Sequence, residues 1–340
     1  MAAKRYLADH SNLTDQDHLI LKVLRLYYEH DFNQAQIASR MGFSRPKVSK
    51  LITEGRARGL VSIEIADPGG VFSPLEIALE DRYGVDEVLV VTSSEDRQST
   101  ELSAGGIAGA LLARLCTPDT VLGVSWGTSV RALADTLPYV YFRCSKVVPL
   151  VGGMGKAKTD LHSNQVCSTM AEKLGIEYLQ LASPAIARSD RSRQELMEMP
   201  GIEDTLDEAA ACDVAVAGIG AITNTSTMVQ AGYFSLEEFL GFREQGAAGD
   251  ICCHFLDAAG RPCLSDLSER IMGLTLDQLR GIPKVVGIAT GVEKAPGVAA
   301  VLEGGYVDAL VCDQRLAEVL LEETSKKKGA QKHEERRHAG

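Results

Sequence analysis

The run GVSWGTS, Gly123 to Ser129, gathers three hydroxyls and two glycines just before a helix-like segment, SVRALADTL. Ser125, Thr128 and Ser129 can bond to oxygen, and Gly127 lets the backbone come close to a ligand. The first amides of the new helix point at any anion that sits there. This is the chemistry of a phosphate cradle, and Trp126 belongs to the same run. The run lacks the lysine of a P-loop and the three-glycine spacing of a dinucleotide turn. Neither ATP nor NAD is indicated, and no cofactor is expected. Without a ligand the same residues would be an ordinary tight strand-to-helix turn.

Other short runs offer partners for a phosphorylated ligand. Gly152 and Gly153 in LVGGMG, and Gly218 and Gly220 in GIGAI, are small-residue turns that leave space. Asp250 in AAGDI can accept from sugar hydroxyls, although a lone aspartate is also a common cap or surface charge. Lys294 in GIATGVEKAPG follows a strand-like run and can meet a phosphate or carbonyl oxygen; alone it would be a surface lysine. Asn164 and Gln165 rank below these.

These residues need a scaffold that brings distant loops together. The runs VDEVLVVT, TVLGV, KVVPLVG, IEYLQLA, VAVAGIG, KVVGIAT and ALVCD read as strands, separated mostly by amphipathic helical segments. That alternation predicts an α/β domain over 77–324 with a largely parallel sheet. In such sheets ligands gather at the carboxyl ends of the strands, where the runs above lie.

A second chemistry sits near the N-terminus, in FNQAQIASRMGFSRPKVSKLI, Phe32 to Ile52. Upstream, Leu19, Ile20, Val23, Leu24 and Tyr27 recur at helical spacing and predict a first helix from about Thr14 to Glu29. A second helix begins at Gln34, and Gly42 offers the positive φ of a helix end. Ser44 can cap a third helix whose first turn tolerates Pro46. Ala38 is small where it would cross Val48. Arg45, Lys47, Ser49 and Lys50 are left on the outer face. The pattern predicts a helix-turn-helix, with Arg45 suited to guanine edges and its neighbours to phosphate or base contacts. The alternating LVSIEI after Gly59 predicts a wing strand. The expected divisions are a DNA-binding domain over 1–65, a Pro/Gly linker over 66–76, the α/β domain, and a disordered charged tail over 325–340.

Charge supports the division. The formal net charge of the 340 residues is -11, yet residues 1–65 hold ten Lys/Arg against seven Asp/Glu, leaving 25 against 39 in the rest. From Arg40 to Arg58 there are six basic residues and one acid, Glu54, which suits a surface facing nucleic-acid phosphates. An acidic body of this kind would not grip such phosphates itself. With 45% hydrophobic residues the bulk is ordinary globular material. No apolar run reaches the ~18 residues of a membrane span, and MAAKRYLADH has no signal-peptide core. A cytoplasmic protein without membrane partners is expected. The eight cysteines form no C-x-x-C pair, so neither a zinc site nor a disulfide framework is expected; reduced buried thiols are.

Taken together, LYYEHDFNQAQIASRMGFSRPKVSKLI, GVSWGTS, PLVGG, AGIGAI, AAGDI and GIATGVEKAPGVAAVLEGGYVDALVCDQ resemble, in order, the SorC family of bacterial transcriptional regulators, including its deoxyribonucleoside-regulator branch. The resemblance extends to about Glu323. It implies a (winged) helix-turn-helix joined to an effector domain similar in fold to phosphosugar isomerases and deaminases. It further implies that Ser125, Gly127, Thr128 and Ser129 hold the phosphate, with Asp250 and Lys294 on the sugar side. It also implies a homo-oligomer, a dimer or tetramer, on paired half-sites of operator DNA, and the apolar LILKVLRLYY could assist pairing. The deoxyribonucleoside branch carries a lysine before the Gly-Gly that can form a Schiff base; here Val151 stands there, so reversible noncovalent binding is expected unless Lys156, Lys158 or Lys294 substitutes. The leading function is a regulator, expected to be a repressor relieved by a phosphorylated sugar. An enzyme of the isomerase or deaminase type is the alternative, with Asp250 as base, although no acidic cluster or His pair accompanies it. A DNA-binding architectural protein with a vestigial pocket is the third.

Overall fold

Helix α1 (Asp15–Tyr28) begins where the Thr14 hydroxyl accepts the Asp17 N–H while the Asp17 carboxylate accepts the Thr14 N–H, a reciprocal cap. Asn33 and Gln36 repeat this device for α2 (Gln34–Met41). Gly42, at φ 69°, ends α2 in the left-handed region that a side chain resists. Two residues later the Ser44 hydroxyl accepts the Lys47 N–H at 3.4 Å and opens α3 (Arg45–Ala57), with Pro46 in its first turn. This is a computed structural model, describing residues 14–61, 72–153 and 161–322. The chain divides into two units, Met1–Pro68 and Gly69–Gly340. Most of the expected wing strand and linker, the tail, and Lys156 and Lys158 lie outside the described residues.

The three helices share one core of Ile20, Val23, Leu24, Ile37, Ala38, Val48, Leu51 and Ile52. One expectation is corrected here. The apolar stripe of LILKVLRLYY is spent within this core, since Ile20, Val23, Leu24 and Leu26 are all buried in it. In addition to Ala38, Gly55 is the small residue that permits close packing: a Cβ there would stand 2.6 Å from Leu24 Cδ1 and 2.8 Å from Ile20 Cγ2.

The second unit is built on a parallel sheet. Its strands are β1 (Glu87–Val91), β2 (Val121–Val124), β3 (Lys146–Pro149), β4 (Glu177–Tyr178), β5 (Val214–Ala221), β8 (Lys284–Ala289) and β9 (Ala309–Asp313), in the order β1-β9-β8-β5-β2-β3-β4. The strand expected in IEYLQLA shrinks to the two residues of β4. Successive residues of β5 alternate between two cores. Val214 and Val216 join one with helices α5 (Arg97–Leu115), α6 (Thr128–Thr136) and α7 (Ser163–Leu174), while Ala215, Ala217 and Ile219 join the other, with helix α4 (Ser73–Tyr83) and the helix Ala295–Glu303. Helices therefore cover both faces, which explains why the strands are mostly apolar, with charged residues such as Glu87, Lys146, Lys284 and Asp313 at their ends. β6 (Ala247–Ile251) and β7 (His254–Asp257) form an antiparallel hairpin on the end of β5, a feature outside the expected parallel pattern.

Candidate effector site

The carboxyl ends of β2, β5 and β8 open into a recess of about 670 Å³, counting its mouth. At the end of β2, Gly127 adopts φ 119° and turns the chain into α6, whose N-terminus has no side-chain cap. The first-turn amides are left to a ligand. Trp126, Gly127, Thr128 and Ser129 line the recess from this side, and Gly220, Asp250 and Lys294 from the others. Lys294 ends a short 3-10 turn after β8, and its ammonium donates to the Ser129 hydroxyl at 3.4 Å. Burial disfavours that ammonium and lowers its pKa, while Glu101, Glu293 and Asp250 favour the charge.

Asp250 projects from the hairpin opposite β5, with Gly220 and Asp250 paired in register. The pairing requires glycine, since a Cβ at position 220 would fall 1.9 Å from Asp250 Oδ1. The carboxyl is buried, and burial pushes its pKa up to about 7 against the opposing pull of Lys294 and of the Cys253 amide. Cys252 and Cys253 make the two-residue hairpin turn at φ 49° and 69°. Primed hairpin turns favour Asn-Gly or Asp-Gly, so this turn carries no sequence signal. All eight cysteines are free, and only Cys116 and Cys263 are half-buried rather than buried.

Three of the expected effector residues do not line the recess. Ser125 is 1% exposed, and its hydroxyl accepts the Gly218 N–H at 3.2 Å, so it ties β2 to β5. Gly152 and Gly153 instead lie against Ser183 and Pro184; a Cβ on Gly152 would meet the Pro184 carbonyl at 2.3 Å. Val151 is fully buried in an apolar cluster with Trp126, Ile222 and Met228. Asn164 exchanges hydrogen bonds with the Leu181 backbone, and Gln165 is exposed on α7. The recess gains Arg97, Glu293, Thr223, Thr225, Ser226 and Thr227, which were not anticipated. The run ITNTST after β5 has the same strand-end hydroxyls as GVSWGTS, and that criterion would have found four of them. Arg97 and Glu293 carry no such mark. Among the described residues, no group of three or more His, Cys, Asp or Glu could hold a metal, and no helix is long and apolar enough to cross a membrane.

In the N-terminal unit, Ser44, Arg45, Pro46, Lys47 and Lys50 are exposed at the start of α3, and Gln34 and Ser49 are half-buried. Lys47 lies over the Phe43 ring at 4.1 Å and Arg40 over Phe32 at 5.1 Å. The basic surface is smaller than charge counting suggests. Arg58 pairs with Asp17 and Glu54, and Arg56 donates to the Tyr28 hydroxyl at 2.6 Å.

Residues 72–322 match the Sugar-bind family of sugar-binding domains. The chain is 33% identical to the sorbitol operon regulator of Klebsiella pneumoniae, over 91% of this chain and 99% of that one. The chain belongs to the SorC-type sugar-binding-domain family. A second SorC-type relative, the deoxyribonucleoside regulator of Bacillus subtilis (strain 168), is 28% identical over 90% of this chain and 98% of its own length. The crystal structure of the full-length sorbitol operon regulator SorC from Klebsiella pneumoniae covers 91% of this chain and all of its own, with a TM-score of 0.70 and 33% identity. A DeoR family transcriptional regulator from Listeria monocytogenes covers 73% of this chain and 98% of its own, with a TM-score of 0.67 and 29% identity. The resemblance expected from the sequence and the α/β fold class are both borne out.

Proposed function

We propose that the protein is a DNA-binding transcriptional regulator, a repressor of carbohydrate or nucleoside catabolism genes, controlled by reversible binding of a phosphorylated sugar. One observation carries the effector half of this reading: an uncapped helix N-terminus, the Ser129 hydroxyl and the Lys294 ammonium converge on a recess that Asp250 and a run of hydroxyls also line. The first set suits a phosphate and the second a polyol. Binding is noncovalent at the Gly-Gly strand end, because a buried valine occupies position 151. Residues 1–65 read operator DNA through Arg45, Lys47, Ser49 and Lys50, with Gln34, Ser44 and Pro46 placing the third helix. Residues 66–76 link them to the sensor, 77–324, and the protein works in the cytoplasm as a dimer or tetramer. The effector acts by favouring one quaternary arrangement over another, since equal affinity for both would change nothing.

The names borne by the relatives, a sorbitol operon regulator and a deoxyribonucleoside regulator, support a regulator rather than an enzyme. One observation favours the second reading: a carboxyl with a pKa near 7 suits proton abstraction. The two separate in one experiment. Fluorescence anisotropy on operator DNA recovered by selection from random duplexes is followed while sugar phosphates are added, and the same mixtures are assayed for turnover. The regulator reading expects release of DNA with the sugar phosphate unchanged. Turnover abolished in Asp250→Asn, with DNA affinity unmoved by any sugar phosphate, would replace it with the enzyme.

A further inference from the structure

We infer that Glu101 is an internal anion occupying the donors of the phosphate cradle, and that an effector phosphate binds by displacing it. The inference rests on the phosphosugar reading above and adds the residue that sets its affinity.

The packing of α5 on α6 places this carboxylate. The two helices run side by side in the same direction. A Cβ on Gly105 would stand 2.6 Å from the Ala132 carbonyl carbon, and one on Gly109 would stand 3.0 Å from Leu137 Cδ2. One turn before the first of these contacts, Glu101 faces Thr128, whose hydroxyl donates to Glu101 Oε1 at 3.3 Å. The same oxygen accepts from Arg97 Nε at 3.1 Å, and Arg97 Nη1 reaches Glu293 at 3.0 Å. Glu101 also gives the largest support to the charge of Lys294. Its side chain is only 14% exposed. One carboxylate therefore engages a cradle hydroxyl, a guanidinium lining the recess and the field of the cradle lysine.

Those are the groups an incoming phosphate needs. A phosphate monoester carries close to two negative charges and three acceptor oxygens, and two anions sharing one set of donors repel. On binding, Thr128 and Arg97 turn from Glu101 to the phosphate. The glutamate turns into the adjoining groove, which Arg131 of α6 also lines. A neutral sugar has no charge with which to make this exchange and none for Glu101 to repel, so Glu101 sets the affinity of phosphorylated ligands alone.

The test is isothermal titration of the full chain, wild type and Glu101→Gln, with inorganic phosphate and a panel of pentose and hexose phosphates, each beside its unphosphorylated parent. Removing one like charge at this range is expected to tighten phosphate-ester binding about tenfold while leaving the parent sugars unmoved. Glu101→Ala is expected to tighten it as well, which guards against an effect peculiar to the amide. A residue that merely braced the fold would instead weaken binding when changed. If the wild type binds a sugar phosphate and neither variant binds it more tightly, the role of Glu101 is refuted and the phosphosugar site stands. If no phosphate compound binds any of the three proteins, both are refuted.

Discussion

Asp250→Asn isolates the one carboxyl whose protonation the fold alters most plainly. Its pKa rises from an ordinary 3.8 to about 7, chiefly through burial. The folded protein therefore keeps a proton that the unfolded chain releases. The associated stability is fully present below about pH 4 and is lost as pH rises through about 7. At 1.36 kcal/mol per pKa unit, the loss between pH 5 and pH 8 amounts to about 2–3 kcal/mol. Asparagine cannot ionise, so the variant lacks this contribution while keeping the side-chain shape against Gly220. Urea unfolding of both proteins at half-unit steps from pH 5 to 8 isolates the effect, because all other titrations are common to them. The wild type is expected to lose stability relative to the variant across that range. Parallel profiles would refute the claim that burial outweighs the pull of Lys294 and the Cys253 amide.

Gly55→Ala drives a methyl against Leu24 and Ile20; overpacking of this kind costs about 1–3 kcal/mol and is expected to lower the melting of the three-helix unit, read by hydrogen exchange of its amides, without changing that of the sheet. Gly220→Ala forces the Asp250 carboxylate out of register and is expected to weaken sugar-phosphate binding by about tenfold or more, a loss of about 1.4 kcal/mol, with DNA affinity in the absence of effector unchanged in anisotropy titrations. Arg45→Ala is expected to cost about 1–3 kcal/mol on the selected operator and to relax one base preference. Lys50→Ala should weaken all sequences alike and reduce the salt slope by about one.

Sequence periodicity is informative where a single physical rule dominates. The cap at Ser44, the φ of Gly42 and the apolar stripe of α1 are local, and each stands where the pattern places it. Six of the seven parallel strands are equally legible, because burial on both faces leaves their middles apolar, whereas β4 is only Glu177–Tyr178. The β6–β7 hairpin is not legible, since its turn is built from Cys252 and Cys253 in a backbone conformation that neither residue advertises. The site divides in the same way. Thr128, Ser129 and Lys294 sit at strand ends that any parallel sheet gathers. Arg97 and Glu101 reach the cradle only because α5 packs along α6 at Gly105, a long-range contact with no local mark. Ser125 has the right chemistry for a ligand, but the strand pairing of β2 with β5 uses its hydroxyl first.

The central claim is that the recess over β2, β5 and β8 binds a phosphorylated sugar through Lys294 and the start of α6. Thermal unfolding of wild type and Lys294→Ala against sugar phosphates and their parents tests it directly. Ligand binding confined to the folded state adds about 2.7 kcal/mol of stability at a hundredfold excess over Kd. The account predicts a rise in Tm for at least one phosphate ester, none for its parent sugar, and loss of the rise in the variant. An equal rise for ester and parent, or an undiminished rise in Lys294→Ala, would contradict it.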